Sequence, residues 1–240
     1  MIELRPFAGL GHARHGWLQA VHHFSFAGYQ DPERMAWGAL RVWNDDAIAP
    51  RSGFAPHGHR DMEIITYVRT GAISHEDSLG NNGRTAAGDV QVMSAGTGIQ
   101  HSEWNHEDET TTLFQIWIVP DRIGEAPGWD SRQFPKAGAA AGQGGFTILA
   151  SGMLAHRQPG DEAALRIRAD ARVCGATLRA GETATYATVL GRHLYLVPAS
   201  GRVRIGDLEA QARDGVAMHD LTEVSITALE DCELVLVDSR

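Results

Sequence analysis

Lysine is almost absent from this 240-residue chain: Lys136 is the only one, and the other basic residues are arginines. Schiff-base chemistry and a phosphate-cradling loop ending in G-K-[ST] both need a lysine in a defined context, so neither is available. Cysteine is scarce as well. Cys174 and Cys232 are too few to staple a fold of this size, and neither belongs to a C-x-x-C pair. Each sits in a strand-like run, where a small buried residue is the expected role. No stretch approaches the roughly 18 apolar residues of a membrane helix, and the first residues lack the apolar centre of a signal peptide. A cytoplasmic protein without membrane contact is expected. No run of basic residues occurs and the net charge is −9, so direct nucleic-acid binding is not expected. The serine-elbow pattern G-x-S-x-G and the dinucleotide turn G-x-G-x-x-G are also missing.

What is present reads as β structure. Glycine (27) and proline (9) recur at short intervals, and short runs rich in Val, Ile, Thr and aromatics lie between them. Eight such runs are Ala39–Trp43, Met62–Val68, Asp89–Met93, Leu113–Val119, Thr183–Val189, His193–Val197, Val224–Ala228 and Glu233–Asp238. Strands at this spacing with turn residues between them predict an all-β sandwich or barrel. Residues 160–170 fit a helical turn or a strand equally. A stretch at 121–145 has no alternation, two prolines and a small-residue tract, which suits a connection between two lobes of residues 1–120 and 146–240. The lobes rhyme: Gly71 with Gly88-Asp89 in the first corresponds to Gly201 with Asp214-Gly215 in the second, predicting an internal duplication.

The chain has twelve histidines, nine of them before residue 110. At this content about 0.6 H-x-H pairs arise by chance, so one such pair carries little information. Here His57-Gly-His59 is followed by Glu63, a Gly88-Asp89 turn, a glycine-rich turn, and then His101-Ser-Glu103. In a strand, alternate side chains share a face, so His57 pairs with His59 and His101 with Glu103. Two such pairs converging inside a small barrel would place three imidazoles and a carboxylate around one divalent transition metal. Two positions would stay open for substrate or oxygen. Imidazole suits Fe, Ni, Cu, Zn and Co, and the carboxylate biases the site toward Fe(II) or Mn(II). Glu63 and Glu103 share the expected inward parity, so the residues alone leave the choice of carboxylate open.

The stretches His15–Pro32, Gly38–Asp46, His57–Val68, His75–Asn81, Gly88–Asn105 and Phe114–Pro120 resemble the pirin family of cupins, which includes bacterial members with quercetin 2,3-dioxygenase activity. The resemblance is dense over residues 11–120 and looser to the end. It implies a bicupin, with two cupin-type β-barrels in tandem and a metal-free second lobe. It also implies His57, His59, His101 and Glu103 as metal ligands, with Glu63 close by as an acceptor for an imidazole N–H. The implied activity is cleavage of a flavonol such as quercetin with O2, with Fe(II) as the leading metal and Glu103 taking the substrate hydroxyl proton. A non-enzymatic, redox-sensing role with a protein partner is the alternative, as is a cupin reaction on another small phenolic. Single histidines such as His156, His193 and His219 are expected to be structural. So are His12, His15, His22 and His23. His75 is a candidate for the entrance, and Trp17, Phe24, Phe26, Trp43 and Trp117 are expected in the core. The tract at 137–145 is expected to be a surface loop.

Overall fold

The computed structural model describes residues 1–134, 145–155 and 157–240. Most of the small-residue tract, together with Lys136 and His156, falls outside them. All eight predicted strands form, each shifted or extended by a few residues. The two 3-10 turns described in full are Phe7–Gly9 and Pro32–Arg34.

The first lobe contains two antiparallel sheets. The larger has seven strands in the order β12 (Gly128–Arg132), β9 (Val90–Ser94), β6 (Glu63–Thr70), β11 (Thr111–Ile118), β4 (Leu40–Ile48), β3 (Leu18–His22) and β2 (Gly11–Arg14). The smaller runs β5 (Ser52–His59), β10 (Ile99–Asn105), β7 (Ala72–Asp77), β8 (Asn82–Ala86). In the second lobe the large sheet runs β1 (Ile2–Arg5), β20 (Gly215–His219), β17 (His193–Ser200), β22 (Cys232–Ser239), β15 (Ala171–Leu178), β13 (Thr147–Ser151) and β14 (Leu165–Arg166). Its small sheet is β16 (Thr183–Ala187), β21 (Glu223–Ala228), β18 (Arg202–Ile205), β19 (Leu208–Gln211). Each lobe is thus a jelly-roll-like pair of sheets rather than a closed barrel.

The predicted duplication is visible strand by strand. The series β4 to β11 and β15 to β22 take the same neighbours in the same order. Gly71 and Gly201 turn the equivalent hairpins with φ of 73° and 72°. A Cβ there would press on the backbone of Thr111 or Cys232, so both the left-handed φ and the close approach demand glycine.

Two strands from outside the repeats cap equivalent edges, at β20 and at β9. β1 pairs with β20 across more than 200 residues, and β12 pairs with β9. Gly128–Arg132 lies within the 121–145 stretch read above as a plain connection. Its backbone covers the free edge of β9, which would otherwise present unpaired N–H and C=O groups. Residues 160–170 resolve into a turn and the two-residue β14.

Between the lobes the large sheets share one core. Trp43, Ile65, Phe114 and Ile116 from the first pack with Val173, Tyr195, Val197 and Val235 from the second. β4 is buried on both faces, and that burial takes in three polar residues, Asn44, Asp45 and Asp46, as well as its apolar ones. At the edge of this core Asp45 takes both Arg69 and Arg213, one from each lobe. Cys174 and Cys232 are free and buried.

Candidate metal centre

β5 and β10 lie side by side with His57 opposite His101. β10 alternates as expected: Ile99, His101, Glu103 and Asn105 are buried, and the residues between them are more exposed. On β5, His57 and His59 turn inward while Gly58 faces solvent. The rings of His57, His59 and His101 have centroids 4.5–4.9 Å apart. One nitrogen from each lies within 4.8 Å of the others. A second group, His75, His101 and Glu103, meets the same limit, so His101 is common to both.

The electrostatics keep His59 and His101 in their ligand form. Burial, then the neighbouring imidazoles, lowers the pKa of His101 to about 2; burial, then His57, lowers that of His59 to about 4. A neutral imidazole offers a lone pair, whereas imidazolium does not. His57 Nδ1 lies 2.8 Å from the Ala55 carbonyl, which only accepts, so Nδ1–H donates to it. In the neutral ring this leaves the Nε2 lone pair facing the cluster.

Glu103 is buried between two amides. Gln91 Nε2 donates to Oε1 at 2.7 Å and Gln115 Nε2 to Oε2 at 2.8 Å. The Gln115 amide is oriented by Trp117, whose donor-only Nε1 lies 3.0 Å from Gln115 Oε1. Burial raises the Glu103 carboxyl to about 7, against the lowering effect of these donors. No ion pair among the described residues neutralises it. Three imidazoles and an unpaired buried carboxylate fit a divalent transition metal.

These groups open onto a cavity of about 610 Å³ lined by His57, His59 and Glu103. Its walls correct one expectation: Trp17, Phe26 and Trp117 line this cavity, whereas Phe24 and Trp43 are fully buried in the core. Trp17 and Phe26 lie in the segments flanking β3, and Trp117 lies one residue from the end of β11. His12, His15 and His22 line the cavity too, while His23 is buried against Tyr195 between the lobes.

Glu63 also departs from expectation. Its carboxylate accepts from Ser94 Oγ at 2.6 Å and from the Arg168 backbone N–H at 3.1 Å, and touches no histidine. On β6 it shares the inter-lobe face of Ile65 and Tyr67; Ile64 and Thr66 point the other way, into the first lobe. The turn between His59 and Glu63, with Asp61 at φ 46°, breaks the parity count. His75 is not at the entrance either. It is 1% exposed, behind His101.

Sequence reasoning missed Gln91, Gln115 and Asp46. The available signal was a polar letter inside an otherwise apolar strand. Asp46 lies 2% exposed on the cavity wall, and its Oδ1 has no hydrogen-bond partner among the described residues. Burial first, then the charges of Asp45 and Glu103, raises this carboxyl to about 8. A folded-state pKa above the ordinary 3.8 means that the stability this carboxyl contributes is fully present below 3.8 and is lost as pH rises to about 8. Asp46→Asn is therefore expected to raise the melting temperature at pH 8–9 and to change it little near pH 4. Thermal unfolding across that range measures the difference.

Residues 4–118 match the pirin family, and residues 154–239 match the quercetinase C-terminal cupin domain. The chain belongs to the pirin family. It is 60% identical over 239 residues to a pirin-like protein of Caulobacter vibrioides, covering all of both chains. It is 39% identical to the quercetin 2,3-dioxygenase of Escherichia coli K12, over 99% of this chain and 98% of that one. A crystal structure of the E. coli pirin YhhW in complex with nickel(II) superposes with a TM-score of 0.90 at 38% identity, over 100% and 99% of the chains.

In this pirin-family chain the described residues of the second lobe carry no equivalent cluster. The strands matching β5 and β10 are β16 and β21, whose paired positions hold Ala184 with Ile226 and Tyr186 with Val224. His193 and His219 instead face each other on β17 and β20, packed on Trp37. Among the described residues no helix is long and apolar enough to cross a membrane.

Proposed function

We propose that this protein is a metal-dependent dioxygenase acting on a flavonol such as quercetin, or on a closely related planar phenolic, with O2. The observation that carries the reading is that His57, His59 and Glu103, all grouped with His101, line the aromatic-walled cavity. Pockets of 300–1,000 Å³ with a few polar groups are the usual form of small-ligand sites.

The three histidines and Glu103 would hold one divalent transition metal, with Fe(II) favoured by the mixed nitrogen and oxygen donors. Bound there, the metal would act as a Lewis acid on adjacent hydroxyl and keto oxygens and would bring oxygen chemistry to the site. Glu103, with a pKa near neutrality, is matched to accept a phenolic proton at physiological pH. Gln91 and Gln115 fix its two oxygens, so the base is held in place before substrate arrives. Trp17, Phe26 and Phe54 offer flat surfaces for aromatic rings and keep water from the reacting carbons. Asn44 and Asp46 give the same wall polar groups for further hydroxyls.

The test is oxygen uptake with quercetin after anaerobic Fe(II) loading, compared with chelator-stripped protein. Uptake matched by carbon monoxide release is expected only for the loaded form. Absence of uptake with Fe, Ni, Mn, Cu and Co alike, in protein that binds them, would remove the dioxygenase reading.

A further inference from the structure

Behind the cluster, away from the cavity, lies a row of groups that no step above uses. Asp77 Oδ2 is 2.9 Å from His75 Nε2, and His75 Nδ1 is 3.4 Å from His101 Nδ1. The far nitrogen of His101, Nε2, is 3.1 Å from His57 Nε2. The side chains of Asp77 and His75 are fully shielded from solvent. Strand register builds the row: β10 pairs with β7 so that His101 lies opposite Asp77 and Glu103 opposite His75.

We propose that Asp77 and His75 are positioning residues that dictate the tautomer of His101 and so aim its Nε2 lone pair into the metal site. The argument follows the protons. Asp77 receives the backbone N–H groups of Leu79 and Asn81 and the Asn81 side-chain amide, all of them donors. A carboxyl surrounded in this way is an anionic acceptor. Its neighbour, His75 Nε2, must therefore carry the hydrogen. With that ring neutral, His75 Nδ1 has only a lone pair and accepts. His101 Nδ1 must then donate, which leaves its Nε2 bare. His57 reaches the same state from the other side, through Nδ1–H to the Ala55 carbonyl. Two bare nitrogens 3.1 Å apart repel each other unless a cation sits beside both.

The row is also held mechanically. His75 stacks on Trp129 with centroids 4.8 Å apart and planes 7° from parallel. The indole ring fits there because residue 83, paired with His75 across β7 and β8, is glycine; a Cβ would run into it. Trp129 belongs to β12, so the strand that caps the β9 edge also clamps this ring.

The inference rests on the metal reading of the cluster, and the experiment separates the two. Side-chain 15N–1H correlation spectra of the metal-free full chain, with 15N-histidine, report each tautomer directly. Nε2–H on His75 and Nδ1–H on His101 are expected. Nε2–H on His101, or a doubly protonated His75, would overturn the proposal. Nickel(II) titration then compares the parent with His75→Leu, which removes the acceptor, and with His75→Gln, which retains a carbonyl acceptor. A loss of about 10–100-fold is expected for the leucine variant, the range typical of partners that orient a ligating histidine. The glutamine variant should recover most of it. If the parent binds no nickel, the metal reading itself fails; if the parent binds and the leucine variant binds equally well, only the relay fails.

Discussion

Glu103→Gln is expected to weaken divalent-metal binding by more than about 100-fold, beyond the usual cost of losing an outer hydrogen-bond partner, and to abolish quercetin-dependent oxygen uptake. Glu63→Gln should leave both close to parental. The difference follows from where the two carboxylates point. Glu103 stands on β10 two residues from His101 and lines the cavity. An amide in its place is a weaker ligand and no base. It also turns an N–H toward Gln91 or Gln115, each already oriented as a donor. Glu63 binds Ser94 and the Arg168 backbone at the junction of the lobes. Its replacement should be felt in stability, by about 1–3 kcal/mol for a weakened hydrogen bond to a charged group. Metal titration, oxygen uptake and thermal unfolding of both variants decide the matter, with cooperative unfolding as the control for folding. Reversed phenotypes would assign the carboxylate ligand to Glu63.

A chain ended after residue 134 is expected to be insoluble or without fixed structure, although it keeps every candidate ligand. Removing the second lobe uncovers Phe24, Trp43, Ile65, Phe114, Ile116 and Ile118, which now share a core with it. Each fully buried side chain of this kind contributes roughly 1.5–3 kcal/mol. Together they match the roughly 5–15 kcal/mol that separates a folded domain from its unfolded state. β1 would also lose β20, the strand it pairs with, and Asp45 would lose Arg213. Soluble expression together with a dispersed amide spectrum measures the outcome. A soluble, dispersed and nickel-binding fragment would show that the second lobe is dispensable to the first.

The strands themselves were readable from local letters. Alternation is a property of a single extended segment, so His57 with His59 and His101 with Glu103 could be placed on common faces without knowing what lay beside them. The duplicated hairpins were readable for a similar reason: Gly71 and Gly201 mark turns whose left-handed φ favours glycine. Parity carried across a turn was not. Glu63 follows His59 by four residues, yet the turn through Asp61 hands it to the opposite face.

The sequence by itself determined an all-β chain, its repeat, and which candidate ligands share a strand face, because each depends on contacts within one strand or hairpin. Tertiary structure alone decided the rest. It set Gln91 and Gln115 against Glu103, placed Asp77 and His75 behind His101, and turned Trp17, Phe26 and Trp117 toward the cavity instead of the core. It also sent β1 to the far lobe and laid Gly128–Arg132 along β9. These contacts join segments distant in the chain, and they are chosen by sheet register, curvature and the need to cover free strand edges. Such choices are made by the whole fold, and no run of neighbouring letters encodes them.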